Sequence, residues 1–255
     1  MTQVYPFLQN KPLPATEFLI MSRLTLFFFI FLFFSSTLVP PVLAKSQEEW
    51  LKKAQALDAN GFLDEAVEAW KKLTTADTDS KLAIYAHLKL GTTYLKLEQF
   101  QKSIDILKAI TEAHPDNFDA HFNFANSLSA FRKFSEAIKS YKKTTVLRPN
   151  EGLGYVGLGL SLFGNHNSGK AIKVLLKANK LFKKKRNIPW HQDTRVMVAQ
   201  IKHFAKFPPH FSNLWLTNNL KVVHDTYEKA VFDPKEYLSP ISIQDKAPFP
   251  NNPSN

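Results

Sequence analysis

Cysteine is absent from this chain of 255 residues, which excludes disulfides, thiolate metal sites and lipid-modified cysteines. It leaves every compartment open. Glycine is sparse at 8 residues, and neither a phosphate-cradling glycine loop nor a nucleophile motif occurs. No Asn-x-Ser/Thr acceptor with x other than proline is present, so N-glycosylation has no site. Acid is missing from one region: residues 152–224 hold 12 basic residues and a single carboxylate, Asp193. Long apolar runs are missing too, with one exception near the start.

That exception is residues 24–34, Leu-Thr-Leu-Phe-Phe-Phe-Ile-Phe-Leu-Phe-Phe, preceded by Arg23 and followed by small residues at Val42 and Ala44. A positive residue, an apolar core and small residues at −3 and −1 are the parts of a secretory signal. The proportions fit best if translation starts at Met21, and cleavage then leaves Lys45 as the first residue. The alternative is a membrane anchor over residues 24–43, since ~20 residues are long enough to span; Pro40 and Pro41 argue against a regular helix there. Either reading exports the downstream domain, to a periplasm, a lumen or the extracellular space.

The middle of the chain repeats itself every 34 residues. One copy begins at Ile84 with Leu90, Gly91, Tyr94, Ser103, Leu107 and Pro115; the next begins at Phe118 with Phe124, Ala125, Leu128, Ala137, Tyr141 and Pro149. A third begins at Gly152 with Tyr155, Leu158, Gly159, Leu162, Ala171, Leu175 and Ala178. An earlier copy begins at Gln47 with Trp50, Ala54, Leu57, Ala66 and Trp70, and lies 37 residues before its successor. Small residues recur where two helices must approach closely, large ones fill the space beside them, and proline closes the second helix. Lys183 replaces that proline in the fourth copy, so its second helix is expected to run long.

This pattern over residues 47–185 resembles the tetratricopeptide repeat. The resemblance implies an all-α fold, a right-handed superhelical array of helix-turn-helix repeats. Such an array needs a lid at its end. Residues 189–206, with Trp190, Met197, Val198, Ile201 and Phe204 on one arc, are a capping helix that can supply it. A second helix over 213–231 carries Leu216, Leu220, Val223 and Tyr227 as a stripe. The expected organisation is a signal or anchor over 1–44, the repeats with their capping helix over 45–206, a C-terminal helix over 207–232 and a disordered, proline-rich tail over 233–255.

The resemblance implies a scaffold that holds a protein or peptide segment in a concave groove. By the family's register, that groove is lined by Tyr85, Leu88, Thr92, Phe122, Asn123, Asn126, Val156, Leu160 and Phe163, with Lys89 and Asp119 on the same face. The carboxylate clamp of chaperone-tail binders is not reproduced, because Leu88, Thr92, Leu153 and Gly157 occupy its positions. Leu153, Val156, Leu160 and Phe163 are all apolar, which predicts that the stripe on 213–231 packs over them and leaves Tyr85, Phe122, Asn123 and Asn126 as the open binding end. The alternative function uses the basic end. Lys170, Lys173, Lys177, Lys180 and Lys184 share one helix face, continued by Lys185 and Arg186. They form either a solvated outer face or a contact for anionic lipid or polymer; nucleic acid fits poorly, for lack of aromatic residues to read bases. His87 and His121 recur in register, but two ligands do not make a zinc site. Neither enzymatic activity nor a cofactor or metal is expected.

Overall fold

The computed structural model describes residues 41–74 and 80–238. The described residues from 49 onward form one compact unit; of residues 1–48, only 41–48, the first turns of α1, are described. The predicted signal or anchor over 24–43 and the tail beyond 238 thus lie almost wholly outside the described residues. No described helix is long and apolar enough to cross a membrane.

Helices follow one another in pairs: α1 (Pro41–Asn60) and α2 (Leu63–Thr74), α3 (Lys81–Lys96) and α4 (Phe100–Ala113), α5 (Phe118–Ala130) and α6 (Phe134–Leu147), α7 (Gly152–Gly164) and α8 (Ser168–Lys184). Then come α9 (Ile188–Phe204), a 3-10 turn (Pro209–Ser212), α10 (Asn213–Ala230) and a short α11 (Lys235–Leu238). Boundaries agree with the sequence pattern except at the start, where α1 begins six residues before the expected Gln47.

The 34-residue register is written into the backbone. Gly61, Glu98, Arg132 and His166 are the fifteenth residues of the four repeats, and all have positive φ, between 58° and 80°. Each sits in the same turn, closed by the same bond: Phe62 to Leu57 (3.0 Å), Gln99 to Tyr94 (2.9 Å), Lys133 to Leu128 (2.8 Å) and Asn167 to Leu162 (2.8 Å). The amide just after the positive-φ residue reaches back to a carbonyl five residues earlier, as helices commonly end. Only the first repeat uses glycine there.

Within each pair the small residues do what their spacing predicts. A Cβ on Gly91 would lie 2.5 Å from Cγ of Leu107, and one on Gly159 would lie 2.7 Å from Cγ of Leu175. Ala125, at the place of these glycines, and Ala137, the small residue of α6, are fully buried. Ser103 takes the small position of α4 and donates to the Gly91 carbonyl at 2.7 Å, so its hydroxyl is satisfied in the core. In the fourth repeat α8 runs 17 residues against 14 for α4 and α6, as expected from a helix without the closing proline.

The first helices of successive pairs, α3, α5 and α7, pack side by side and form the inner row. α9 packs against α8 and buries Trp190, Met197, Val198 and Ile201, as a capping helix should. The chain then reverses. α10 lies across α5 and α7, and α11 lies on α3. Here the structure departs from the expected disordered tail, because Tyr237 and Leu238 are buried in the core of the first two repeats. A helix start was legible in Asp233-Pro234: Asp233 caps the amide of Lys235 at 2.9 Å, and proline suits a first turn.

Candidate protein-binding groove

The inner row presents one face built from its groove positions, and the chain's own C-terminal segment covers it. Leu153, Val156, Leu160 and Phe163 of α7 are buried together with Leu216, Leu220 and Val223 of α10 in one core cluster. That much agrees with the apolar stripe. The expected open end does not exist: Tyr85, Leu88, Thr92, Phe122, Asn123 and Asn126 are buried as well. Tyr227 stacks on Phe122 with ring centres 4.2 Å apart, and Phe232 stacks on Tyr85 at 5.8 Å. Tyr237 reaches Tyr85 from α11 at 6.2 Å. The physical reason is reach. α10 runs 18 residues, ~27 Å at 1.5 Å per residue, which carries it beyond the fourth repeat's groove and across the third.

Polar contacts fix the segment in register. Asp119, 1% exposed, accepts hydrogen bonds from the phenols of Tyr227 and Tyr237, both at 2.6 Å, and Arg148 lies 3.8 Å from the same carboxylate. Arg148 also stacks over Phe118 and donates to Glu236 at 3.0 Å. Burial, and then the Asp119 charge, push both phenols well above the usual tyrosine range, so they stay protonated donors.

A second lock is ionic. Lys89 lies 2.9 Å from Glu228 of α10 and 3.0 Å from Asp58 of α1, and Lys96 lies 2.8 Å from Asp58. Burial opposes every charge here, but the partners override it. Asp58 and Glu228 are held below the ordinary carboxylate range and Lys89 above the ordinary lysine range. Next to this lock His224 packs with its Nδ1 3.3 Å from the Asn126 amide nitrogen, and burial holds its pKa below the usual 6.5. Tyr141 donates to the other end of the Asn126 side chain.

These shifts set a pH dependence. Asp58, Glu228 and His224 all bind protons less readily when folded, so the unfolded chain gains protons first as pH falls. Their stabilisation is present at neutral pH, begins to be lost below the unfolded histidine value of 6.5 and is lost steeply below the unfolded Glu value of 4.5. The melting temperature is expected to fall progressively from pH 7 to pH 4. A flat profile across that interval would contradict the buried ionic lock.

One part of the groove is still open. A cleft of about 270 Å³ lies between the turns of the second and third repeats and the outer edge of α10, lined by Leu95, Phe100, Ala130, Phe134, Thr217 and Leu220. The basic patch lies elsewhere. Lys170, Lys173, Lys177, Lys180, Lys184, Lys185 and Arg186 are all exposed, with Lys177 resting 4.4 Å over the Tyr155 ring and Lys185 3.4 Å from Glu151. His87 bonds the Ala83 carbonyl of its own helix at 2.8 Å, and His121 bonds the Pro115 carbonyl of the linker before its helix at 2.9 Å.

Comparison with known proteins matches this architecture. The tetratricopeptide-repeat profile fits residues 51–118 and 88–149. A curated relative, the anaphase-promoting complex subunit CDC16 of Saccharomyces cerevisiae, is 29% identical over 111 residues, which is 44% of this chain. The chain spans only 13% of that protein's length. Among solved structures, a crystal structure of MamA is 26% identical with a TM-score of 0.51, covering 55% of this chain and 81% of MamA. MamA of Desulfovibrio magneticus RS-1, from its residue 41 onward, is 17% identical with a TM-score of 0.53, covering 73% and 97% of the two chains; it shares the fold. The family profile lies over the first three of the four helix pairs that share this turn, and the chain carries tetratricopeptide repeats there.

Proposed function

We propose that this protein is a binding scaffold whose concave groove takes a helical protein segment, and that residues 213–238 occupy that groove until a partner competes. The single observation that carries the reading is the chemistry of the occupied groove. A filler needs only apolar contact, whereas this segment is recognised side chain by side chain: Tyr227 on Phe122 and Asp119, Glu228 on Lys89, Tyr237 on Asp119. A competing partner matches the same features, an apolar stripe at helical spacing with an acidic residue placed for Lys89. Such recognition of an amphipathic helix in a groove is a recurring mode of protein–protein contact. In the same reading residues 24–34 send the protein out of the cytoplasm or anchor it, and the scaffold performs no chemistry.

A labelled peptide of residues 213–238 tests this. The tethered segment acts at an effective concentration of ~1 mM, so micromolar peptide should not bind the unaltered protein. A full-length variant carrying Tyr227→Ala and Tyr237→Ala loosens the tethered copy, and should bind the peptide in the micromolar range. A variant that keeps its helical signal yet binds no peptide would show that the groove is not a helix receptor.

A further inference from the structure

The turn that joins α9 to α10 is an exposed, aromatic corner with a basic flank. Lys206 and Phe207 follow the end of α9, Pro208 and Pro209 stiffen the backbone, and the 3-10 turn leads into α10. Phe207, Phe211 and Leu214 are 45%, 61% and 74% exposed, against 2% for Leu216 on the groove side of the same helix. They form one surface: the His203 and Phe207 rings are 5.0 Å apart, Phe207 and Phe211 6.0 Å, and His210 and Phe211 4.5 Å. Leu214 follows Phe211 by three residues, on the same side of the chain.

Charge around this corner has one sign. Residues 194–224 contain Arg195, Lys202, Lys206 and Lys221 and no carboxylate; Lys221 pairs with Asp225 at 2.7 Å, which leaves Lys202 and Lys206 as the cations beside the turn. Lys202 and Lys206 are exposed beside the rings, and Arg132 reaches in from the third repeat's turn to donate to Asn213 at 2.7 Å. Phe207, Phe211 and Leu214 are large apolar side chains left exposed together, outside the core.

We infer that this corner docks the protein on an anionic lipid surface, with Phe207, Phe211 and Leu214 entering the boundary between headgroups and acyl chains while Lys202 and Lys206 meet the headgroups. A helix end that presents aromatic and leucine side chains among cations is suited to that boundary. The lipid surface is favoured over a protein because the exposed cations Lys202 and Lys206 flank the rings and the tip, Phe-Pro-Pro-His-Phe, offers few hydrogen-bonding side chains. This docking is independent of the groove reading.

The cysteine-free chain makes the test site-specific. Leu214→Cys in the full-length protein carries an environment-sensitive fluorophore, and Val146→Cys, 73% exposed at the end of α6, carries the same label as a control. Vesicles are phosphatidylcholine alone or phosphatidylcholine with three parts in ten phosphatidylglycerol. The label at 214 should brighten several-fold and shift to the blue only with the anionic vesicles, and the label at 146 should not respond. High salt should abolish the response, and adding Lys202→Glu with Lys206→Glu should weaken vesicle affinity at least ~10-fold. Both substituted positions are exposed, so an unchanged melt confirms the fold of that variant. Equal responses at 214 and 146, equal responses to both vesicle types, or silence at 214 would each overturn the proposal. A response to an acidic polypeptide but not to vesicles would do the same and identify a protein partner.

Discussion

A chain ending at residue 212 should melt at least ~10 °C below one ending at residue 238, and should bind an apolar-surface dye that the longer chain does not. The removed segment buries Leu216, Leu220, Val223 and Tyr227 from α10, and Tyr237 and Leu238 from α11. It also covers Leu153, Val156 and Leu160 of α7 and Phe122 of α5. Each large side chain returned to water costs ~1.5–3 kcal/mol as an upper bound. Release of the segment's conformational entropy offsets part of that cost. A net loss of about 4 kcal/mol, at ~2–4 °C per kcal/mol, gives the expected shift. Equal melting of the two chains without added dye binding would mean that the segment rests on the repeats without stabilising them.

Lys89→Met should destabilise the protein by ~3 kcal/mol or more, because it leaves the Glu228 carboxylate buried without its cation. Glu228 is 2.9 Å from Lys89 and its side chain is only 15% exposed, so solvent replaces the lost partner only in part. Asp58 keeps Lys96 at 2.8 Å, which places the loss nearer the lower end of what breaking a buried pair costs. The informative comparison is the double variant Lys89→Met with Glu228→Met. Replacing both partners by apolar groups of similar size removes the stranded charge, so most of the stability should return. A loss below ~1 kcal/mol in the single variant would show that the pair behaves as an exposed one. A double variant no better than the single would show that the two residues are not coupled.

The repeats were legible because their physics is local. Gly91 against Leu107 and Gly159 against Leu175 are pairs sixteen residues apart, fixed by the spacing of small and large residues in one hairpin. The turns at Glu98, Arg132 and His166 follow from the same register. The stripe on α10 was legible too, and so was the apolar face of α7 that it meets. What the sequence could not convey was how far the segment travels. Period gives the face of a helix and says nothing of which groove positions it covers, so Phe122, Asn123 and Asn126 were expected to stay open when Tyr227 and His224 lie over them. Asp119 and Lys89 were placed on the groove face, but their partners Tyr227 and Glu228 are more than a hundred residues away, and no local pattern links them. α11 escaped notice for another reason: four residues are too short to show a period, and prolines on either side resemble a tail.

Occupation of the groove by residues 213–238 is the claim on which the scaffold reading depends, and a crosslink measures it directly. Because the chain has no cysteine, Asn126→Cys and His224→Cys place the only two thiols on facing helices, where the native side-chain nitrogens are 3.3 Å apart. Both positions border the open cleft, so a short bis-thiol reagent can reach them. A rapid crosslink within one chain is the predicted result, read by mass spectrometry as a monomer whose two labelled peptides are joined. Thiols that remain uncrosslinked, or crosslinks that form only between chains, would contradict it.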